Sequence, residues 1–116
     1  VDDATIWQGD TLANPQNIED DKLMKFQCIC ANPPFSLDKW DSGFLGDAEV
    51  DSKGKKAKMS PDLDKFHRFD WGIPPTSKGD YAFVMHMLHS LDDSRPVSCG
   101  INIFFNLYFD IFIINF

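Results

Sequence analysis

The 116 residues carry 11 Lys and Arg against 18 Asp and Glu, a net charge of -7, with 43% hydrophobic and 25% charged side chains. That balance supports one apolar core and excludes a disordered or collagen-like chain. It also argues against this piece alone gripping nucleic acid, because nonspecific affinity comes mainly from Lys and Arg neutralising phosphates.

Cys28, Cys30 and Cys99 form no even-numbered disulfide framework and no C-x-x-C pair, which fits a reducing cytoplasm. The start, Val1-Asp2-Asp3, has neither the basic nor the apolar part of a signal peptide and reads as cut from something longer.

In chain order, residues 5–8 are a short β-prone run that stops at Gly9-Asp10, so Asp10 is expected at a strand tip. Residues 11–21, with Pro15 and several Asn and Asp, read as a loop, with a helical turn expected around residues 18–24. Residues 25–31 are an apolar run of the kind that makes a buried, parallel strand, and Pro33-Pro34 must end it. From residue 36 to 77 no period is sustained, so a long loop with short helical pieces is expected; its basic stretch, residues 53–58, reads as a solvated tip or a phosphate contact. Residues 81–91 place Phe83, Met87 and Leu91 at helical spacing with Val84 and Leu88 beside them, Asp80 as N-cap and Asp92-Asp93 as the stop. The Ile-, Phe- and Asn-rich tail is expected as strand from its β-branched and aromatic content, and Asn102, Asn106, Asp110 and Asn115 make it too polar to span a bilayer.

Asn32-Pro33-Pro34-Phe35, directly after the apolar run, carries the chemistry. It matches the Asn/Asp-Pro-Pro-Tyr/Phe motif of methyltransferases that move a methyl group from S-adenosylmethionine to an exocyclic or amide nitrogen. An adenine amino group is a poor nucleophile because its lone pair is delocalised into the ring. Two acceptors aimed at its two protons favour a pyramidal nitrogen and stabilise the positive charge that develops on it. The side-chain oxygen of Asn32 and the carbonyl of Pro33 would be those acceptors, with Pro34 rigidifying the turn. Phe35 would stack on a base extruded from the duplex, and direct in-line transfer then needs alignment more than a strong base.

The flanking blocks narrow this. Ile6-Trp7-Gln8-Gly9-Asp10-Thr11-Leu12 and Asn14-Pro15 are followed by the run from Phe26 through Phe35 and by Trp40. Next come Arg68-Phe69-Asp70-Trp71-Gly72-Ile73-Pro74-Pro75, Ser77-Lys78-Gly79-Asp80-Tyr81-Ala82-Phe83 and His86-Met87-Leu88. In order and spacing, over roughly residues 5–91, the chain resembles the modification subunit of type I restriction-modification systems, which are DNA adenine N6-methyltransferases. The resemblance implies an α/β chain with a partial Rossmann-like methyltransferase fold and an incomplete sheet. Asp10, with Thr11 beside it, would meet the cofactor's adenine; the alternative for Asp10 is a turn former. The glycine-rich loop for the methionine part of S-adenosylmethionine would lie upstream. Partners would be duplex DNA and the specificity and restriction subunits, in the cytoplasm and without a membrane. The chain would divide into residues 1–93, a piece of the catalytic domain inactive by itself, and residues 94–116, a divergent tail that suggests a shifted reading frame.

Phe26-Gln27 stands where the family commonly has Phe-Asp, a change expected to alter a capping contact rather than chemistry. Glutamine methyltransferases of release factors and guanine-N2 RNA methyltransferases use similar turns, and a non-catalytic remnant is a further alternative; the Gly-Ile-Pro-Pro and Asp-Tyr-Ala-Phe blocks favour the DNA enzyme. No metal is expected, since His86, His89 and His67 lack a Cys or acidic partner at ligand spacing. Met85 and Met87 are expected to pack, and Cys28 and Cys30 to be small buried hydrophobes on one strand face. Trp40, Phe69 and Trp71 would line the base pocket or anchor loops.

Overall fold

The computed structural model describes residues 5–27, 29–33, 37–46, 54–55 and 57–92, with backbone alone at Cys30, Asn32, 102–103 and 110–112. These residues form a mixed α and β structure. In order come β1 (Ile18–Glu19), β2 (Lys22–Leu23), β3 (Cys30–Asn32), α1 (Ser42–Leu45), a 3-10 turn (Pro61–Leu63), α2 (Gly79–Ser90), β4 (Asn102–Ile103) and β5 (Asp110–Phe112).

Two expectations near the start fail. Residues 5–8 form no strand, and Ile6 and Trp7 are exposed; β propensity does not produce a strand without a neighbouring chain to pair with. Around residues 18–24 the helical turn is replaced by an antiparallel hairpin that pairs Ile18 with Leu23 and Glu19 with Lys22. Asp20 and Asp21 take left-handed φ values of 51° and 60°, the geometry of a two-residue type I′ turn, which Asp tolerates better than most side chains. The opposite charges across the Glu19–Lys22 pair suit the register.

The apolar run yields a shorter strand than expected. β3 lies between β4, which runs parallel to it, and β5, which runs antiparallel. The tail thus supplies strand at 102–103 and 110–112, as its composition suggests. Upstream, Phe26 makes a parallel bridge with Leu91: the Phe26 amide donates to the Ser90 carbonyl at 2.8 Å, and the Asp92 amide donates to the Phe26 carbonyl at 2.8 Å. The end of α2 is therefore stitched to the entry of the strand. Phe26, Ile29, Ala31 and Met87 form one apolar cluster there.

Among its described residues the expected long loop contains α1 and the 3-10 turn, yet it is not structureless. Met59 and Phe69 from it join Leu12, Trp40, Ala82 and Phe83 in a second buried cluster. Trp40 and Phe69 are thus loop anchors, their rings 5.1 Å apart, whereas Trp71 is 78% exposed.

α2 begins at Gly79, so Asp80 sits in the first turn rather than capping it, and Lys78 at the cap position makes no side-chain cap bond. An acidic group there still faces the positive end of the helix dipole. The buried stripe is Gly79, Ala82, Phe83, His86, Met87 and Ser90; Leu88, expected on the apolar face, is exposed. Met85 packs against the core and Met87 lies inside it. Among the described residues no helix is long and apolar enough to cross a membrane.

Candidate active site

Asn32 is the last residue of β3, in register with Asp110 of β5. Pro33, which follows it and is buried, has no N–H to continue the ladder, so the strand stops there. Pro34 and Phe35 lie outside the described residues, as does Cys28.

Past the motif, the Leu37 carbonyl accepts the Gly79 amide at 3.2 Å, and the Trp40 indole N–H donates to the Pro75 carbonyl at 3.0 Å. The buried indole thereby finds the partner it needs. The contact at Gly79 is too close for a side chain: a Cβ there would lie 2.8 Å from Leu37 Cβ and 3.2 Å from Trp40 Cβ. The chain leaving the proline turn is thus held against the first turn of α2 and the Ile73-Pro74-Pro75 block.

Asp10 organises its own loop. Its Oδ1 accepts the amides of Leu12 and Ala13, both at 3.0 Å, and its carbonyl accepts the Asn14 amide at 2.8 Å. It is therefore a turn former, and it is exposed, with no described donor bonded to Oδ2. Gly43 of α1 packs against this loop so closely that a Cβ would lie 2.5 Å from Ala13 Cβ and 3.0 Å from Asp10 Oδ2. Thr11 is half-buried, and its carbonyl accepts Arg68 Nη1 at 3.2 Å.

Arg68, fully buried, ties these parts together. Its Nη2 donates to the Leu12 carbonyl at 2.5 Å, and Nε and Nη2 grip the two oxygens of Asp64 at 3.0 and 2.9 Å. The rings of Phe44, Phe66 and Phe69 surround the guanidinium. Burial pushes the Asp64 carboxyl up, but hydrogen bonds from the Arg68 side chain and backbone, with its charge, outweigh this and hold it below its usual value.

Arg68 Nη1 also meets His86 Nδ1 at 3.1 Å. Because a guanidinium only donates, Nδ1 must accept, and the proton of the neutral ring sits on Nε2. Burial, then the Arg68 charge, pushes His86 down to about 3, so it is a neutral ring rather than an acid–base group. Its Nε2 meets no described partner. Among the described residues no group of three His, Cys, Asp or Glu could hold a metal.

Through Arg68 the Asp10–Thr11 loop is linked to α2, and the segment after Phe35 hangs on the same helix through Leu37. Arg68 and Asp64 stand outside the Asn-Pro-Pro-Phe and Gly-Asp motifs, and their only signal in the sequence is the i,i+4 spacing of opposite charges.

The family model described as N-6 DNA methylase matches residues 1–102, a span that takes in the Asp10 loop, the end of β3 and all of α2. No curated protein matches the chain. With most of its length inside that match, the chain belongs to the N-6 DNA methylase family and is thereby a DNA methyltransferase sequence.

Proposed function

We propose that the chain is part of the modification subunit of a type I restriction-modification system, acting on an adenine amino group in duplex DNA within a Rossmann-like fold in the cytoplasm. The observation that carries this is Asn32 as the last residue of β3, opening the sequence Asn32-Pro33-Pro34-Phe35, in a chain of the N-6 DNA methylase family. A specificity subunit would read the sequence and a restriction subunit would cut. In this proposal residues 1–93 are catalytic-domain sequence and residues 94–116 a divergent tail, although the family match runs to residue 102.

S-adenosylmethionine, when bound, supplies a methyl group on an electrophilic sulfonium. Asn32 Oδ1 and the Pro33 carbonyl accept the two protons of the extruded adenine's amino group, fix its nitrogen in a pyramidal shape and stabilise the charge it gains. Phe35 covers the face of the base. Asp10 fits the adenine end of the cofactor: Oδ1 shapes the loop, which leaves Oδ2 to accept the cofactor's amino group, with Thr11 adjacent. The methionine part needs a glycine-rich loop that this sequence does not contain, so the chain by itself should bind the cofactor weakly and not turn over.

The test is transfer of a radiolabelled methyl group to duplex DNA by the assembled enzyme. Asn32→Ala should lower transfer by roughly 100-fold or more, as loss of one preorganised polar group does elsewhere. Undiminished transfer would remove Asn32 from the reaction. Tight S-adenosylmethionine binding by this chain alone, measured by calorimetry, would overturn its dependence on further polypeptide.

A further inference from the structure

A guanidinium has five N–H donors and no acceptor, and in Arg68 every donor is matched. Nε meets Asp64 Oδ2, Nη2 meets Asp64 Oδ1 and the Leu12 carbonyl, and Nη1 meets the Thr11 carbonyl and His86 Nδ1. The carboxylate is filled as well: Oδ2 accepts the Arg68 amide at 2.8 Å and Oδ1 the Phe66 amide at 3.3 Å. Both side chains are buried. Asp64 thus fixes the orientation of the fork, and no donor of Arg68 is left for a ligand.

The fork holds the backbone of the Asp10 turn. The consecutive carbonyls of Thr11 and Leu12 accept from the two Nη atoms, while Asp10 Oδ1 accepts the amides of Leu12 and Ala13. The turn is therefore gripped through its carbonyls by Arg68 and through its amides by Asp10. With Oδ1 committed to those amides, the place of Oδ2 follows the turn. His86, buried on α2, ties the Nη1 end of the fork to the helix.

We propose that Arg68 is a positioning residue for S-adenosylmethionine: acting through the Thr11 and Leu12 carbonyls, it sets the Asp10 turn against the cofactor's adenine and touches neither cofactor nor DNA. The assignment rests on the cofactor role proposed above for Asp10. Lysine cannot substitute, because an ammonium carries three donors on one atom where five acceptors surround a planar fork.

Calorimetry of S-adenosylmethionine binding to the assembled enzyme, with hydrogen exchange at the Leu12 and Ala13 amides before cofactor is added, tests it. Arg68→Lys keeps a charge opposite Asp64 but loses the fork. It should raise Kd about tenfold or more and speed exchange at those two amides relative to α2, while kcat at saturating cofactor stays within about twofold. Leu23→Ala, a truncation of a buried β2 residue outside the Leu12 cluster, controls for general loss of stability and should leave Kd unchanged. His86→Leu strands one Nη1 donor and should raise Kd too; His86→Gln returns an acceptor and should restore it. That pair decides the matter where Arg68→Lys does not fold, equal parental Kd in both overturning the proposal. An unchanged Kd with a lowered kcat in Arg68→Lys, or a Kd raised equally by Leu23→Ala, also overturns it; a raised Kd in Asp10→Asn then leaves the Asp10 contact standing. A raised Kd in Arg68→Lys beside a parental Kd in Asp10→Asn supports the clamp on the turn and sinks the Asp10 contact alone.

Discussion

Arg68 donates through Nη2 to the carbonyl of Leu12 at 2.5 Å, a bond between residues 56 apart in sequence that fixes the turn begun by Asp10. The guanidinium is buried together with its partner Asp64, so removing either member strands a charge out of water. Arg68→Met should cost about 3–5 kcal/mol in urea unfolding. Replacing both, Arg68→Met with Asp64→Leu, should recover a large part of that loss. If the double variant is as unstable as the single one, the penalty comes from lost packing and not from a stranded carboxylate.

The same cluster sets an acid limit. His86 is held at about 3 when folded, against 6.5 ordinarily, so in that interval the unfolded chain binds a proton that the folded chain does not. Stability should fall with pH by about 1.4 kcal/mol per unit below 6.5. Asp64 adds a loss of the same sign lower down: its contribution is present above 3.8 and disappears as pH falls through its depressed folded value. His86→Gln can still accept from Arg68 but cannot titrate, and should flatten the upper part of the profile. A parent profile already flat below 6.5 would contradict a buried neutral imidazole.

Gly79→Ala should destabilise the protein. In an open helix that change stabilises by up to about 1 kcal/mol, but here the new methyl meets Leu37 and Trp40. Overpacking of this kind costs about 1–3 kcal/mol. A red-shifted Trp40 emission should accompany the loss as the indole gains water; Trp7→Phe and Trp71→Phe in the background make that signal specific.

Asp10 separates turn formation from ligand contact. Asp10→Asn keeps an oxygen for the Leu12 and Ala13 amides and should leave stability within about 0.5 kcal/mol. It also turns the second oxygen into a donor, so cofactor affinity of the assembled enzyme should fall. Asp10→Ala should lose both, with about 1 kcal/mol of stability gone. Equal cofactor affinity in the Asn variant would confine Asp10 to the turn.

α2, the stop at Pro33 and the place of Asn32 at a strand's end are legible in the sequence alone. These depend on short-range rules: helical spacing of Phe83 and Met87, and a proline's missing N–H. Residues 5–8 and 18–24 are not legible that way, because pairing partners and the tolerance of Asp20 and Asp21 for left-handed backbone decide their structure. Only the tertiary structure revealed that Arg68 carries the Asp10 loop and that Gly79 lets the post-motif chain approach α2. Each joins residues far apart in the chain, and burial and close contact are properties of space that no local pattern encodes.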